Sequence, residues 1–146
     1  MTSITSLSDE QLAIVKSTAP AIRENSVEIS ERLYARLFEN HPETKAFFVN
    51  TPAGQAERLA AALVAYTKSV DNLSALSGAV QTIAKKHVAA GVQPAHYDIV
   101  GTELLGAVVD VLGAIPDHVI DAWGAAYQVL ADIFIEAEAQ LATEAA

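Results

Sequence analysis

One histidine, His87, stands at the inner end of an apolar stripe in a chain of 146 residues with no cysteine. Leu76, Val80, Ile83 and His87 follow at steps of four, three and four, which puts them on one helical face. An imidazole in that position must meet a buried partner or a metal, because an unpaired polar ring among apolar groups is costly. With no thiolate and only His41, His96 and His118 besides, a site built from several protein ligands is not expected. One imidazole is enough for a metal that arrives with its other bonds already made, as in haem. The alternative is a core histidine bonded to a backbone carbonyl.

Further groups fit the same chemistry. Tyr97 begins another periodic segment ten residues on, and Glu138 follows Phe134 by four residues, near the inner face of the last helix. A carboxylate and a phenol meeting His87 would fix its tautomer and make the ring a more electron-rich ligand. The alternative for Glu138 is a solvated charge in a region crowded by Glu136 and Glu144. Tyr34 sits between Leu33 and Leu37, and Gln55 heads a stripe that continues through Leu59 and Leu63. Both are donors in apolar positions, suited to a ligand that carries partial negative charge. Read singly, Tyr34 is an amphipathic core aromatic and Gln55 an exposed first-turn residue. Phe47 and Phe48 could wedge a flat cofactor or simply fill a corner. Lys85 and Lys86 are either partners for haem propionates or solvated neighbours of His87. His41, His96 and His118 read as surface residues.

These residues need helices to hold them. Ser8 with Gln11 forms a capping box ahead of Leu12, Val15, Ala19 and Ile22, with a kink or an early end expected at Pro20. Ser26 opens a second helix, closed by Asn40-His41-Pro42. A short turn, Glu43 to Phe48, leads to Thr51-Pro52, which should start a longer helix with Leu59, Leu63 and Tyr66 inward. Asp71-Asn72 ends that helix or caps the next, expected from Leu73 to His87. Gly91 and Pro94 break the chain before a fifth long helix, and Gly113 and Pro116 end it. The last helix runs from Asp117 to Leu141 with Val119, Trp123, Tyr127, Leu130 and Phe134 on one face. Strand-type alternation is absent, so the fold class expected is all-α, one domain over residues 1–146.

Composition narrows the function classes. A formal charge of −9 without a basic run disfavours nucleic acid and anionic membranes. The apolar stretch from Ile99 to Ile115 is interrupted by Glu103 and Asp110, so a buried amphipathic helix is expected there and no membrane span. The cysteine-free chain and its start, MTSITSLSDE, fit a cytoplasmic protein without a secretory signal. No phosphate-binding glycine loop or nucleophile elbow is present.

Three tracts, RLYARLFENHPETKAFF from Arg32, DNLSALSGAVQTIAKKHVAAGVQPAHYDIVGTELLGAVVDVLG from Asp71 and DAWGAAYQVLADIFIEAE from Asp121, resemble bacterial haemoglobins of the flavohaemoglobin and Vitreoscilla type. The resemblance implies a globin fold of six to eight helices around b-type haem. It implies His87 as the proximal iron ligand, with Tyr97 and Glu138 hydrogen-bonded on that side. Tyr34, Gln55, Leu59 and Phe48 fall on the distal and haem-packing positions; Lys86, beside His87, and Tyr127, on the inner face of the last helix, join the candidate cofactor contacts from their own places in the chain. The segment FVNTPAGQAERL is shorter than its family counterpart, and Ala56 stands where some members have proline.

The function implied is reversible O2 binding for delivery or storage, and NO dioxygenation, with peroxidase-like side activity also within reach of the residue set. The tracts end without a flavin reductase module, so an external flavin-dependent reductase is the expected electron source. The protein would act as a monomer or homodimer. The other classes open to the residues are a haem-based gas or redox sensor and a cofactor-free helical interaction module.

Overall fold

The computed structural model describes residues 7–48, 54–70 and 72–145. Among these residues six α-helices follow in order: α1 (Asp9–Glu24), α2 (Ser26–Asn40), α3 (Gln55–Lys68), α4 (Ser77–Ala90), α5 (Pro94–Leu112) and α6 (Asp117–Ala145). Short 3-10 segments, Pro42–Phe48 and Leu73–Leu76, precede α3 and α4. No strand occurs among the described residues, which is the all-α class expected from the sequence.

Local chemistry sets most of the boundaries. Ser8 accepts from the Gln11 N–H while Gln11 reaches back to the Ser8 N–H, so the capping box opens α1 as expected. Pro20 does not end that helix, which runs on to Glu24. Ala19 and Ile22 are buried on either side of it, and packing of this kind outweighs the missing N–H of an exposed proline. The helix expected from Leu73 begins instead with a 3-10 turn and becomes α-helical only at Ser77. Thr51, Pro52 and Asp71 lie outside the described residues.

Helix α2 packs most extensively on α5 and α3, α1 on α3 and α6, and α4 on α6. Polar links cross these seams. Trp123 Nε1 donates to Thr18 Oγ1 at 2.8 Å, and the Tyr66 hydroxyl donates to the Ala126 carbonyl at 2.6 Å. Between α2 and α5, Arg36 bonds Glu103 and Asp110, both at 3.0 Å, and Arg32 bonds Asp110 at 2.7 Å. Glu103 is only 4 % exposed and also accepts from Asn40. In the sequence Glu103 reads only as a charge interrupting an apolar run.

Helices α3 and α4 carry Gln55 and His87 but pack on different neighbours, α3 on α1 and α2, α4 on α6. No helix among the described residues is long and apolar enough to cross a membrane.

Candidate functional site

His87 lies in the last turn of α4, which Gly91 ends at φ 86°. The Val92 N–H returns to the His87 carbonyl at 3.0 Å and the Gly91 N–H to Val88 at 3.1 Å. That double closure needs a residue free to adopt positive φ, which glycine does without strain. It ties the backbone of His87 itself. Three residues after Gly91, Pro94 starts α5 with its φ already suited to a helix, and the first turn of α5 brings Tyr97 back over α4.

Three side chains then converge. Tyr97 donates to Glu138 Oε2 at 2.5 Å, and His87 Nδ1 lies 2.8 Å from the same oxygen and 2.9 Å from the Tyr97 hydroxyl. With the phenol proton given to Glu138, both oxygens facing Nδ1 are acceptors, so Nδ1 carries the proton. The lone pair of the ring is therefore on Nε2, which has no hydrogen-bond partner among the described residues. Glu138 is 8 % exposed, which overturns its reading as a solvated terminal charge. Phe134 packs on both rings, with centroids 5.8 Å from His87 and 6.2 Å from Tyr97. Burial, followed by the bond to Glu138, pushes the Tyr97 phenol far above its ordinary range and keeps it a donor.

Tyr127 supports this group from α6. Its hydroxyl donates to the Tyr97 carbonyl at 2.7 Å, so here it pins the turn that carries Tyr97.

A second polar group forms on α2 and α3. Gln55 Nε2 donates to the Tyr34 hydroxyl at 3.0 Å, so Gln55 is half-buried and partnered and not a free first-turn residue. Burial raises the Tyr34 phenol above its usual range, against the Gln55 bond and the Arg58 charge. Phe48 meets Tyr34 edge-on at 5.4 Å and Phe38 at 5.5 Å. Leu59, one turn beyond Gln55, is half-buried against a cluster that includes Ile22, Ile29 and Leu33. Lys85 and Lys86 are exposed beside His87.

Two histidines differ from expectation. His41 and His96 are half-buried, whereas His118 is exposed as expected. His41 ends α2 between Glu43 at 3.6 Å and Glu103 at 3.5 Å. His96 Nδ1 accepts from the Gln93 N–H at 2.8 Å and caps α5, while its ring meets Phe47 at 4.8 Å. Sequence reasoning missed this cap because it looked for serine, threonine or an acid at helix starts. The spacing Gln93–His96, the same as Ser8–Gln11, was the available signal.

The arrangement suits haem. A single imidazole offers Nε2 alone, its other nitrogen is held by a carboxylate and a phenol, and half-buried apolar residues such as Leu59, Leu63, Ile83 and Val100 lie one to two turns from the polar groups along their helices. That donor set fits a metal whose remaining ligands come with it.

Comparison with known proteins agrees. The sequence model of the globin family matches residues 31–134. The chain belongs to the globin family. It is 46 % identical over 143 residues to a flavohemoprotein of Bacillus thuringiensis, covering 96 % of this globin and 35 % of that protein. The globin thus spans about a third of the length of that relative. Among solved structures it resembles an engineered carbene transferase, a proposed nitric oxide dioxygenase from Rhodothermus marinus, with TM-score 0.87 and 39 % identity over 94 % of this chain and 97 % of that one. A bacterial globin from Campylobacter jejuni aligns with TM-score 0.85 and 30 % identity over 93 % of this chain and 99 % of that one.

Proposed function

We propose that this globin holds b-type haem through His87 Nε2, binds O2 reversibly and supports oxidation of NO to nitrate with electrons from a flavin-dependent reductase outside the 146 residues. The observation that carries the reading is the His87–Tyr97–Glu138 group, which leaves one imidazole nitrogen, and only one, as an electron-pair donor.

Haem, when bound, supplies a ferrous iron that takes diatomic gases and the redox chemistry of NO dioxygenation. The chain supplies the rest. Glu138 draws the Nδ1 proton and gives the imidazole anionic character, which strengthens it as a ligand. Tyr127 keeps Tyr97 in place from behind. Tyr34, half-buried and protonated, offers its O–H to a ligand that gains negative charge, and Gln55 orients it. Phe48 and Leu59 form apolar walls, and Lys86 balances the propionates. O2 delivery and NO removal would share this site and differ in how fast electrons return.

The test is stopped-flow NO consumption by the oxygenated ferrous protein, with and without a flavoreductase. Nitrate formation that becomes catalytic with the reductase supports the enzyme reading, and slow re-reduction with reversible O2 binding leaves delivery alone. His87→Ala is expected to lose the ferrous spectrum of a histidine-ligated haem, and an unchanged spectrum would overturn the assignment.

A further inference from the structure

The amide of Gln55 lies between two partners that dictate its orientation. Arg58 Nη2 donates to Gln55 Oε1 at 2.8 Å along α3, and Gln55 Nε2 donates to the Tyr34 hydroxyl at 3.0 Å across to α2. A guanidinium has only donors, so the amide end facing it must be the oxygen. The amide nitrogen is thereby turned to Tyr34, whose hydroxyl oxygen accepts. A phenol that accepts from Gln55 keeps its own proton for a third group. With the amide reversed, Tyr34 would donate to Gln55 and have no proton left to offer.

We propose that Arg58 is a positioning residue, which holds the Gln55 amide with its nitrogen toward Tyr34 and so commits the Tyr34 proton to the bound ligand. This rests on the reading above that Tyr34 donates to that ligand. Arg58 is exposed, so its bond adds little to stability. Its effect is directional, choosing between two amide orientations of similar shape.

Arg58→Glu puts an acceptor where the donors were, so the amide nitrogen turns to residue 58 and its oxygen to Tyr34. In the haem-loaded protein this variant is expected to speed O2 dissociation about tenfold, matching Tyr34→Phe, as the loss of one hydrogen bond to the ligand predicts. The C–O stretch of the carbon monoxide complex should shift the same way in both variants. Arg58→Met, which frees the amide without reversing it, should fall between them and the wild type. In a Gln55→Leu background, Arg58→Glu should change neither reading. If Tyr34→Phe speeds dissociation while Arg58→Glu and Arg58→Met leave rate and stretch at wild-type values, the role of Arg58 is overturned and that of Tyr34 stands. A full Arg58→Glu effect without Gln55 would mean that bare charge acts, which also overturns the proposal. If Tyr34→Phe itself does nothing, the reading beneath the proposal fails.

Discussion

The ring of Tyr127 lies directly on the backbone of Gly101, so close that a β-carbon there would stand 2.7 Å from Tyr127 Cε2. Only a residue without a side chain lets Tyr127 cross α5 at that depth and reach the Tyr97 carbonyl. Gly101→Ala should gain up to about 1 kcal/mol in helix propensity. Overpacking against a ring held at its far end costs more, about 1–3 kcal/mol. A net loss of stability is expected in urea unfolding, and a gain would mean that the ring yields freely.

Glu138→Gln tests the proximal group. The amide keeps the shape and removes the charge that draws the Nδ1 proton, so the imidazole becomes a weaker electron donor. The midpoint potential of the haem iron should rise by about 60 mV, a tenfold change for a one-electron couple. Spectroelectrochemical titration reads this directly, and an unchanged potential would remove Glu138 from the tuning role.

Asp110 should set part of the acid limb of stability. Hydrogen bonds from Arg32 and then Arg36 hold its carboxyl below the ordinary value of 3.8. Because the folded pKa lies below the unfolded one, the stabilisation is present above about pH 4 and is lost as pH falls through the folded value. Asp110→Asn should therefore be less stable than wild type near neutrality, with the two urea midpoints converging in acid. Parallel curves down to pH 2 would contradict this.

Ser30 is fully buried on α2, and its hydroxyl has no hydrogen-bond partner among the described residues. Removing an unsatisfied buried hydroxyl is nearly neutral or stabilising, and alanine is the better helix former. Ser30→Ala should keep or raise the thermal midpoint. A loss above about 1 kcal/mol would mean that the hydroxyl is satisfied.

Much of the architecture was readable because its punctuation is local. Gly91, Pro94, Gly113 and Pro116 act through backbone dihedrals, and each stands at a helix end. The early end open at Pro20 does not occur, for the complementary reason: the rule is local, but burial of Ala19 and Ile22 is not. Glu138 and His87 are 51 residues apart in sequence; their positions on inner helical faces allow a meeting, and the three-tract resemblance implies it. Glu103 and Arg58 carried no such cue. An acid in an apolar run reads as an interruption until the arginine and asparagine of α2 are seen beside it. A surface arginine reads as solvated until its amide partner is known to be turned toward a tyrosine.

The corner between α2 and α3 has a consequence for how the two polar groups stay in register. Phe48 touches Tyr34 and Phe38 on α2, while its neighbour Phe47 touches His96 at the start of α5. Successive side chains in a 3-10 turn project about a third of a revolution apart, so one peptide unit fastens both flanks of the interior like a rivet. The gap between those flanks is thus gauged by two adjoining rings, and slipping that pair by one residue would misalign both walls together.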